Sequence, residues 1–126
     1  MIRGFIYPVV LLLLACASSH VPMLEQTRVE VATAVTGVLE TDGHCYRLDM
    51  NGAKRTIVWV EGTRFGRDAA GRYVTDIGGA RRYIGQRIGL SGGPLQPESV
   101  SGDTDLSRYL RDCGDNAVRG LRFTEL

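Results

Sequence analysis

Apolar and polar residues alternate through much of the chain, which is the pattern of half-buried β-strands. Residues 28–40 form a first predicted strand, in which one phase is apolar at Val29, Val31, Val35 and Leu39. Residues 44–50 and 56–61 form the next two strands. The Asn51-Gly52 pair between them is a strong hairpin signal, because both residue types tolerate positive φ.

Shorter strands are predicted near 72–77 and 87–91, and the glycine-containing segment 62–71 before them is predicted to be a loop. A last strand is predicted at 120–124. Its alternation directs Leu121 and Phe123 inward and Arg122 outward.

One segment has helical periodicity. Its apolar residues recur at positions i, i+3, i+4 and i+7, which gives one apolar face made by Leu106, Tyr109, Leu110 and Cys113. Thr104 is the predicted N-cap, and Gly114 is the predicted end of the helix.

Together these elements predict a mainly β domain. We expect a small antiparallel barrel of five to six strands, OB-like in character, with one short helix in the C-terminal half. A two-layer α+β sheet is the alternative. About 110 residues follow the N-terminal apolar run, which is enough for a single domain with a modest core.

The N-terminus has a different pattern. Arg3 is the only charged residue before Glu25, and an uninterrupted apolar run occupies residues 5–15. A basic start, a short apolar run and then small residues are typical of a secretory signal peptide. The run is shorter than the roughly 20 residues that a membrane-spanning helix needs.

The run ends in Leu13-Leu14-Ala15-Cys16, which resembles the lipobox of bacterial lipoproteins, although Leu14 stands where Ala or Ser is more common. The resemblance covers sixteen residues. It implies a lipid on Cys16, cleavage just before it and, with Ala17 following, an outer-membrane location facing the periplasm. The alternative is ordinary cleavage at Ala15-Cys16-Ala17, which releases a soluble secreted protein.

The chain is therefore predicted to have three parts. Residues 1–15 are a lipoprotein signal peptide, residues 16–27 are the lipidated cysteine with a flexible tether, and residues 28–126 are one disulfide-closed β-rich domain, similar in general character to small OB-like lipoproteins. A tether over residues 17–27 reaches at most roughly 35–40 Å when extended.

With Cys16 carrying lipid, Cys45 and Cys113 remain as a pair. In an oxidising compartment the pair is predicted to form a structural disulfide. Such a crosslink contributes on the order of 4 kcal/mol when the closed loop is this long. A reactive Cys45 with His44 as its base is disfavoured, because neighbouring side chains in a strand point to opposite faces.

The charge is unevenly distributed. The chain has a formal net charge of +1, yet nine basic and four acidic residues lie within 47–87. The predicted members of a basic surface are Arg64, Arg67, Arg72, Arg81, Arg82 and Arg87. This surface is either an ordinary solvated face or a site for an anionic envelope partner; nucleic acid is not expected in this compartment.

Aromatic residues lie close to these arginines. OB-folds bind oligosaccharides and oligonucleotides on the face around strands 2 and 3. The aromatic side chains to examine there are Tyr46, Trp59 and Tyr73. Core packing is the commoner use of a single tryptophan in such a strand, and it is the favoured interpretation of Trp59.

Catalytic and metal-binding patterns are weak. Gly89-Leu90-Ser91-Gly92-Gly93 matches the G-x-S-x-G nucleophile elbow, but no histidine follows His44 in the chain and no parallel sheet is predicted. Histidines and cysteines do not cluster at the spacing of metal ligands. No catalytic residue, metal or cofactor is therefore predicted.

The leading hypothesis is a non-enzymatic, membrane-anchored binding module for a protein partner of the envelope. One alternative is a binder of an anionic envelope polymer or glycan through the basic, aromatic-containing middle of the chain. A hydrolase or thiol enzyme is the least favoured alternative.

Overall fold

A computed structural model describes residues 21–25, 34–96 and 100–126. The predicted signal peptide, Cys16, part of the predicted tether and the start of the first predicted strand lie outside these residues. The described residues form nine strands and one α-helix, namely β1 (Ala34–Thr41), β2 (Tyr46–Met50), β3 (Ala53–Trp59), β4 (Arg64–Asp68), β5 (Gly71–Thr75), β6 (Arg81–Tyr83), β7 (Arg87–Ser91), α1 (Thr104–Cys113), β8 (Ala117–Gly120) and β9 (Arg122–Thr124).

Six strands form a curled sheet in the order β8-β3-β2-β1-β7-β9. The two strands at the ends of this order, β8 and β9, are separated in the chain by Leu121 alone. The sheet therefore curls round on itself as a half-barrel, which confirms the mainly β, OB-like fold class. One detail of the prediction is wrong: β3 and β8 pair in parallel, whereas the other pairs in this sheet are antiparallel.

The remaining three strands form a second sheet in the order β4-β5-β6, which we call the meander. The predicted loop at 62–71 is wrong, because it contains β4. That strand reads Arg-Phe-Gly-Arg-Asp, with one large apolar side chain, so hydrophobic alternation does not reveal it. The short strand β6 was also not predicted, for the same reason: it reads Arg-Arg-Tyr.

The helix buries the face that its periodicity predicts, made by Leu106, Tyr109, Leu110 and Cys113. Its N-cap is Asp103 instead of Thr104: the Asp103 carboxylate accepts a hydrogen bond of 2.9 Å from the Leu106 N–H. Gly114 ends the helix as expected, with φ at +119° and its N–H bonded to the Leu110 carbonyl. The Cys45–Cys113 disulfide is present and joins the end of α1 to the residue before β2.

The barrel core is centred on Trp59. Its ring meets Tyr46, Phe65 and Phe123 edge-on at centroid distances of 6.0, 6.2 and 5.9 Å. Phe65 belongs to β4, so the meander packs against the barrel through this cluster. The predicted last strand is divided at Leu121, and Phe123 is buried as expected while Leu121 is half-buried.

The segment 21–25 packs on the barrel. Leu24 forms a parallel bridge with Val60; its N–H donates to the Trp59 carbonyl at 2.9 Å, and its carbonyl accepts from the Glu61 N–H at 2.7 Å. This part of the predicted tether is therefore hydrogen-bonded into the domain. Within the described ranges, α1 is too short and too polar to cross a membrane.

Candidate anion-binding cleft

The predicted binding residues fall into two groups. Trp59 is 0% exposed and Tyr46 is 8% exposed, because both belong to the barrel core. Trp59 is therefore a core residue, as the favoured interpretation has it, whereas Tyr46 belongs to the core and also lines the cleft described below. The half-buried Tyr73 remains accessible, as do the arginines, which are exposed at Arg64, Arg67, Arg72, Arg81 and Arg87 and half-buried at Arg82.

The register of the meander separates the arginines onto two faces. Arg67 lies directly opposite Arg72, and Phe65 lies directly opposite Val74. Because side chains alternate along a strand, these four residues share the face that packs on the barrel. Arg81, which lies opposite Thr75 in the next pair of strands, is on the other face.

A cleft of about 310 Å³ opens where the hairpin between β4 and β5 overhangs the barrel. The rings of Tyr46 and Phe65 lie 5.1 Å apart in its wall. Across from them, the Arg72 guanidinium lies beside Gly43, where a Cβ would be in ordinary contact with it at 3.7 Å. The lining residues are Val21, Gly43, Tyr46, Phe65, Gly66, Arg67, Arg72 and Tyr73.

The two arginines of the cleft have no carboxylate partner among the described residues. By contrast, Arg81 contacts Asp68 at 3.4 Å on the other face of the meander. Like charges directly opposite each other on paired strands destabilise the pairing. The Arg67–Arg72 pair is therefore a concentration of positive charge that an anion between the two guanidinium groups would relieve.

The phenol of Tyr46 adds a hydrogen-bonding group beside this charge. Burial raises the pKa of Tyr46 above its usual 10, and the positive charge of Arg72 opposes that rise. Tyr46 is therefore neutral at physiological pH. Its hydroxyl adds no negative charge to the cleft.

Tyr73 is held at the rim of the cleft by its neighbours on the outer face. The guanidinium carbon of Arg81 lies 3.7 Å from the Tyr73 ring centroid, and the Tyr83 ring meets it edge-on at 5.8 Å. The Tyr83 hydroxyl donates to Asp68 at 2.6 Å, and this hydrogen bond lowers the pKa of the Asp68 carboxyl. The ring of Tyr73 also lies across Gly66, where a Cβ would come within 2.5 Å of it.

The groups considered for catalysis are engaged in structural bonds. Both Cys45 and Cys113 sulfurs are in the disulfide, so neither is a free nucleophile or metal ligand, although His44 lies within 4.8 Å of them. The Ser91 hydroxyl donates to the Arg122 carbonyl at 3.2 Å, beside the β7–β9 pairing. The G-x-S-x-G stretch is thus part of an antiparallel ladder and does not form a strand-to-helix elbow.

Four lining residues of the cleft were not identified from the sequence: Val21, Gly43, Phe65 and Gly66. The sequence signal for them is indirect: Phe65 and Gly66 lie between two of the predicted arginines, and Gly43 lies between two predicted strands. Only the packing of the meander on the barrel brings them together. No model of a known protein family matches the chain, and neither a curated protein nor a solved structure matches it.

Proposed function

We propose that this protein is a non-enzymatic binding module of the bacterial envelope, anchored by lipid on Cys16, whose cleft between the meander and the barrel holds an anionic ligand. The observation that carries the proposal is the cross-strand pair Arg67–Arg72, which has no carboxylate partner among the described residues and lines a cleft. Envelope polymers and glycans that bear phosphate, sulfate or carboxylate groups are ligands of this kind.

The chemistry of the side chains fits such a ligand. A guanidinium group is planar and presents its N–H donors as a fork that matches the oxygens of phosphate or carboxylate. Two of them on adjacent strands present two forks to one anion. The apolar rings of Phe65 and Tyr73 beside them offer surface for the uncharged part of the ligand.

A protein partner, the leading hypothesis from the sequence, is the second candidate. Stable protein interfaces usually have an apolar, aromatic-rich centre. In the described ranges Leu126 is the only exposed large hydrophobic residue. The surface is therefore better suited to a polar, charged ligand than to a tightly packed protein.

Equilibrium binding to a matched pair of polymers tests the proposal. Full-length protein in neutral detergent is titrated with fluorescent dextran sulfate and with uncharged dextran of the same length. We expect binding to dextran sulfate alone, and we expect it to weaken steeply as salt is added, because the attraction between exposed charges is screened.

Two double variants locate the site. Arg67→Gln with Arg72→Gln is expected to weaken binding about tenfold or more, since each charged hydrogen bond contributes roughly 1.5–3 kcal/mol. The control is Arg87→Gln with Arg111→Gln, which removes the same charge from exposed positions outside the cleft. Equal loss in the two double variants, or equal binding of the two polymers, would disprove the cleft as the binding site.

The anchor is tested separately. Cys16→Ser is expected to move the protein from the membrane fraction to the soluble fraction, because each buried lipid methylene contributes about 0.8 kcal/mol to membrane attachment. Retention of the Cys16→Ser variant in membranes would contradict lipidation at this residue. A wild-type protein found soluble, with a mass that fits cleavage after Ala17, would support secretion instead.

A further inference from the structure

The segment 21–25 connects the cleft to the predicted anchor. Leu24 is fixed to the barrel by two backbone hydrogen bonds, at 2.9 Å to the Trp59 carbonyl and at 2.7 Å from the Glu61 N–H. Three residues earlier, Val21 packs against the barrel core and lines the cleft together with Arg67 and Arg72. The chain therefore enters the described domain at the rim of the cleft.

The remaining distance to the anchor is short. Five residue steps separate Val21 from Cys16, and they span at most roughly 18 Å even when fully extended. The prediction from the sequence, with residues 17–27 all acting as tether, allowed about twice that reach. A lipid on Cys16 thus keeps the cleft close to the membrane surface, where the headgroups of each leaflet occupy roughly 5–8 Å beyond the hydrocarbon.

The charges on the two sides of segment 21–25 favour one orientation of the domain relative to the membrane. Val21 borders the cleft, whose two arginines have no carboxylate partner among the described residues, whereas the next residue, Pro22, borders a depression on the α1 side where two carboxylates, Asp105 and Asp112, outnumber one guanidinium, that of Arg108. An anionic membrane surface therefore attracts the first side more strongly than the second. Near such a surface each arginine contributes about 1 kcal/mol of attraction.

The size of the cleft also favours a small anionic group. Its volume of about 310 Å³ lies at the lower end of the range of roughly 300–1,000 Å³ for small-molecule sites. One glycerophosphate headgroup is better matched to such a cleft than several sugar rings are. The apolar wall made by Val21, Tyr46 and Phe65 suits the acylated end of a lipid beside its phosphate.

We propose that the cleft lined by Arg67 and Arg72 binds the phosphate headgroup of an anionic phospholipid in the membrane that carries the anchor. The inference rests on the proposed function and names the source of its anionic ligand. The single negative charge of the bound headgroup offsets half of the charge of the cross-strand arginine pair, and the domain lies with the β4–β5 hairpin toward the bilayer.

Residue-resolved arginine modification tests this proposal on the lipidated protein. The protein is reconstituted into vesicles of phosphatidylcholine alone or of phosphatidylcholine with phosphatidylglycerol, treated with phenylglyoxal, and digested for mass spectrometry. We expect Arg67 and Arg72 to react about fivefold more slowly in the phosphatidylglycerol vesicles, which corresponds to the attraction of about 1 kcal/mol per arginine. Arg87 and Arg111 serve as controls and should react equally in both.

The outcomes separate headgroup binding from the proposed function, which is the binding of any anionic ligand in the cleft. Equal modification of Arg67 and Arg72 in the two kinds of vesicle overturns headgroup binding. If dextran sulfate still binds the cleft in detergent, the ligand is a polymer or glycan and the proposed function holds. If neither phosphatidylglycerol nor dextran sulfate acts on Arg67 and Arg72, both proposals fail. Slower modification of all four arginines indicates a general surface effect and also overturns the specific cleft.

Discussion

The carboxylate of Asp76 accepts a hydrogen bond of 2.7 Å from the backbone N–H of Phe123, a residue 47 positions further along the chain. Its other oxygen accepts from the N–H groups of Gly78 and Ala80, at 2.8 and 2.9 Å. Asp76 directly follows β5, and Phe123 lies in β9. One buried carboxylate therefore closes the turn between β5 and β6 and joins the meander to the barrel.

Asp76→Asn is expected to lower the free energy of unfolding by about 1–3 kcal/mol. Asparagine has the same shape but a single acceptor oxygen, so at least one of the three N–H donors is left without its partner. Chemical denaturation of the full-length protein measures the change. The control is Asp115→Asn at an exposed position, where we expect an effect within about 0.5 kcal/mol. Equal stability of the two variants would contradict the role of Asp76.

The disulfide is the second constraint on the fold. It joins Cys45 and Cys113 across 68 positions in sequence. Replacing both by serine is expected to lower the free energy of unfolding by about 4 kcal/mol, because the unfolded chain regains the freedom that the long loop had lost. Chemical denaturation with and without reductant measures this change. Reductant should lower the free energy of unfolding of the wild type and leave that of the double variant unchanged. An intact mass showing both thiols free in the native protein would contradict the crosslink.

Regular local patterns allowed several elements to be predicted from the sequence. A strong turn signal between two segments of strand-forming residues gave the hairpin around Asn51-Gly52, where β2 ends at Met50 and β3 begins at Ala53. Spacings of three and four residues gave the buried face of α1. The disulfide was predicted because two cysteines remain once Cys16 is assigned to the lipid. In each case the information lies in neighbouring residues, so no knowledge of tertiary contacts was needed.

The cleft could not be predicted in the same way. Whether Arg67 faces Arg72 depends on the register of the β4–β5 hairpin, and β4 has too few apolar residues to reveal itself as a strand. Whether Trp59 points inward depends on which face of the barrel is covered, and here Phe65 from the meander helps to cover it. The sequence indicated a basic surface made by several arginines, but tertiary packing decides which two of them line a cleft.

The hydroxyl of Tyr109 links α1 to the barrel. It accepts a hydrogen bond of 3.0 Å from the Tyr46 N–H and donates one of 3.1 Å to the Ile57 carbonyl. Burial raises the pKa of Tyr109 to about 12. An unfolded tyrosine titrates near 10, so the folded state resists ionisation of this side chain.

Stability is therefore expected to decrease at alkaline pH. The contribution of Tyr109 is fully present below pH 10, and on the order of 2–3 kcal/mol of it is lost as the pH rises from about 10 to 12. Tyr109→Phe is less stable at neutral pH by about 1–3 kcal/mol, since the Tyr46 N–H and the Ile57 carbonyl lose their partner. Unfolding measured at several pH values should show a smaller alkaline loss in the variant; parallel curves for the two proteins would contradict this assignment.

The position of Tyr73 at the rim of the cleft depends on the absence of a side chain at Gly66. A Cβ at Gly66 would lie 2.5 Å from both Cζ and Oη of Tyr73, so Gly66→Ala must displace the ring from its place beside the Arg81 guanidinium. Gly102 is a matched control, because a Cβ there meets no atom within 4 Å.

Gly66→Ala is expected to weaken dextran sulfate binding about three- to tenfold, which corresponds to the roughly 0.5–1.5 kcal/mol of a well-placed aromatic contact. Gly102→Ala should bind as the wild type does. A double-mutant cycle gives the sharper test: if Gly66 acts through the Tyr73 ring, adding Gly66→Ala to Tyr73→Ala should produce no further loss. Independent, additive losses of binding would show that Gly66 affects the cleft by another route, for example through the pairing of β4 with β5. The Tyr73 ring would then not be the contact through which Gly66→Ala weakens binding.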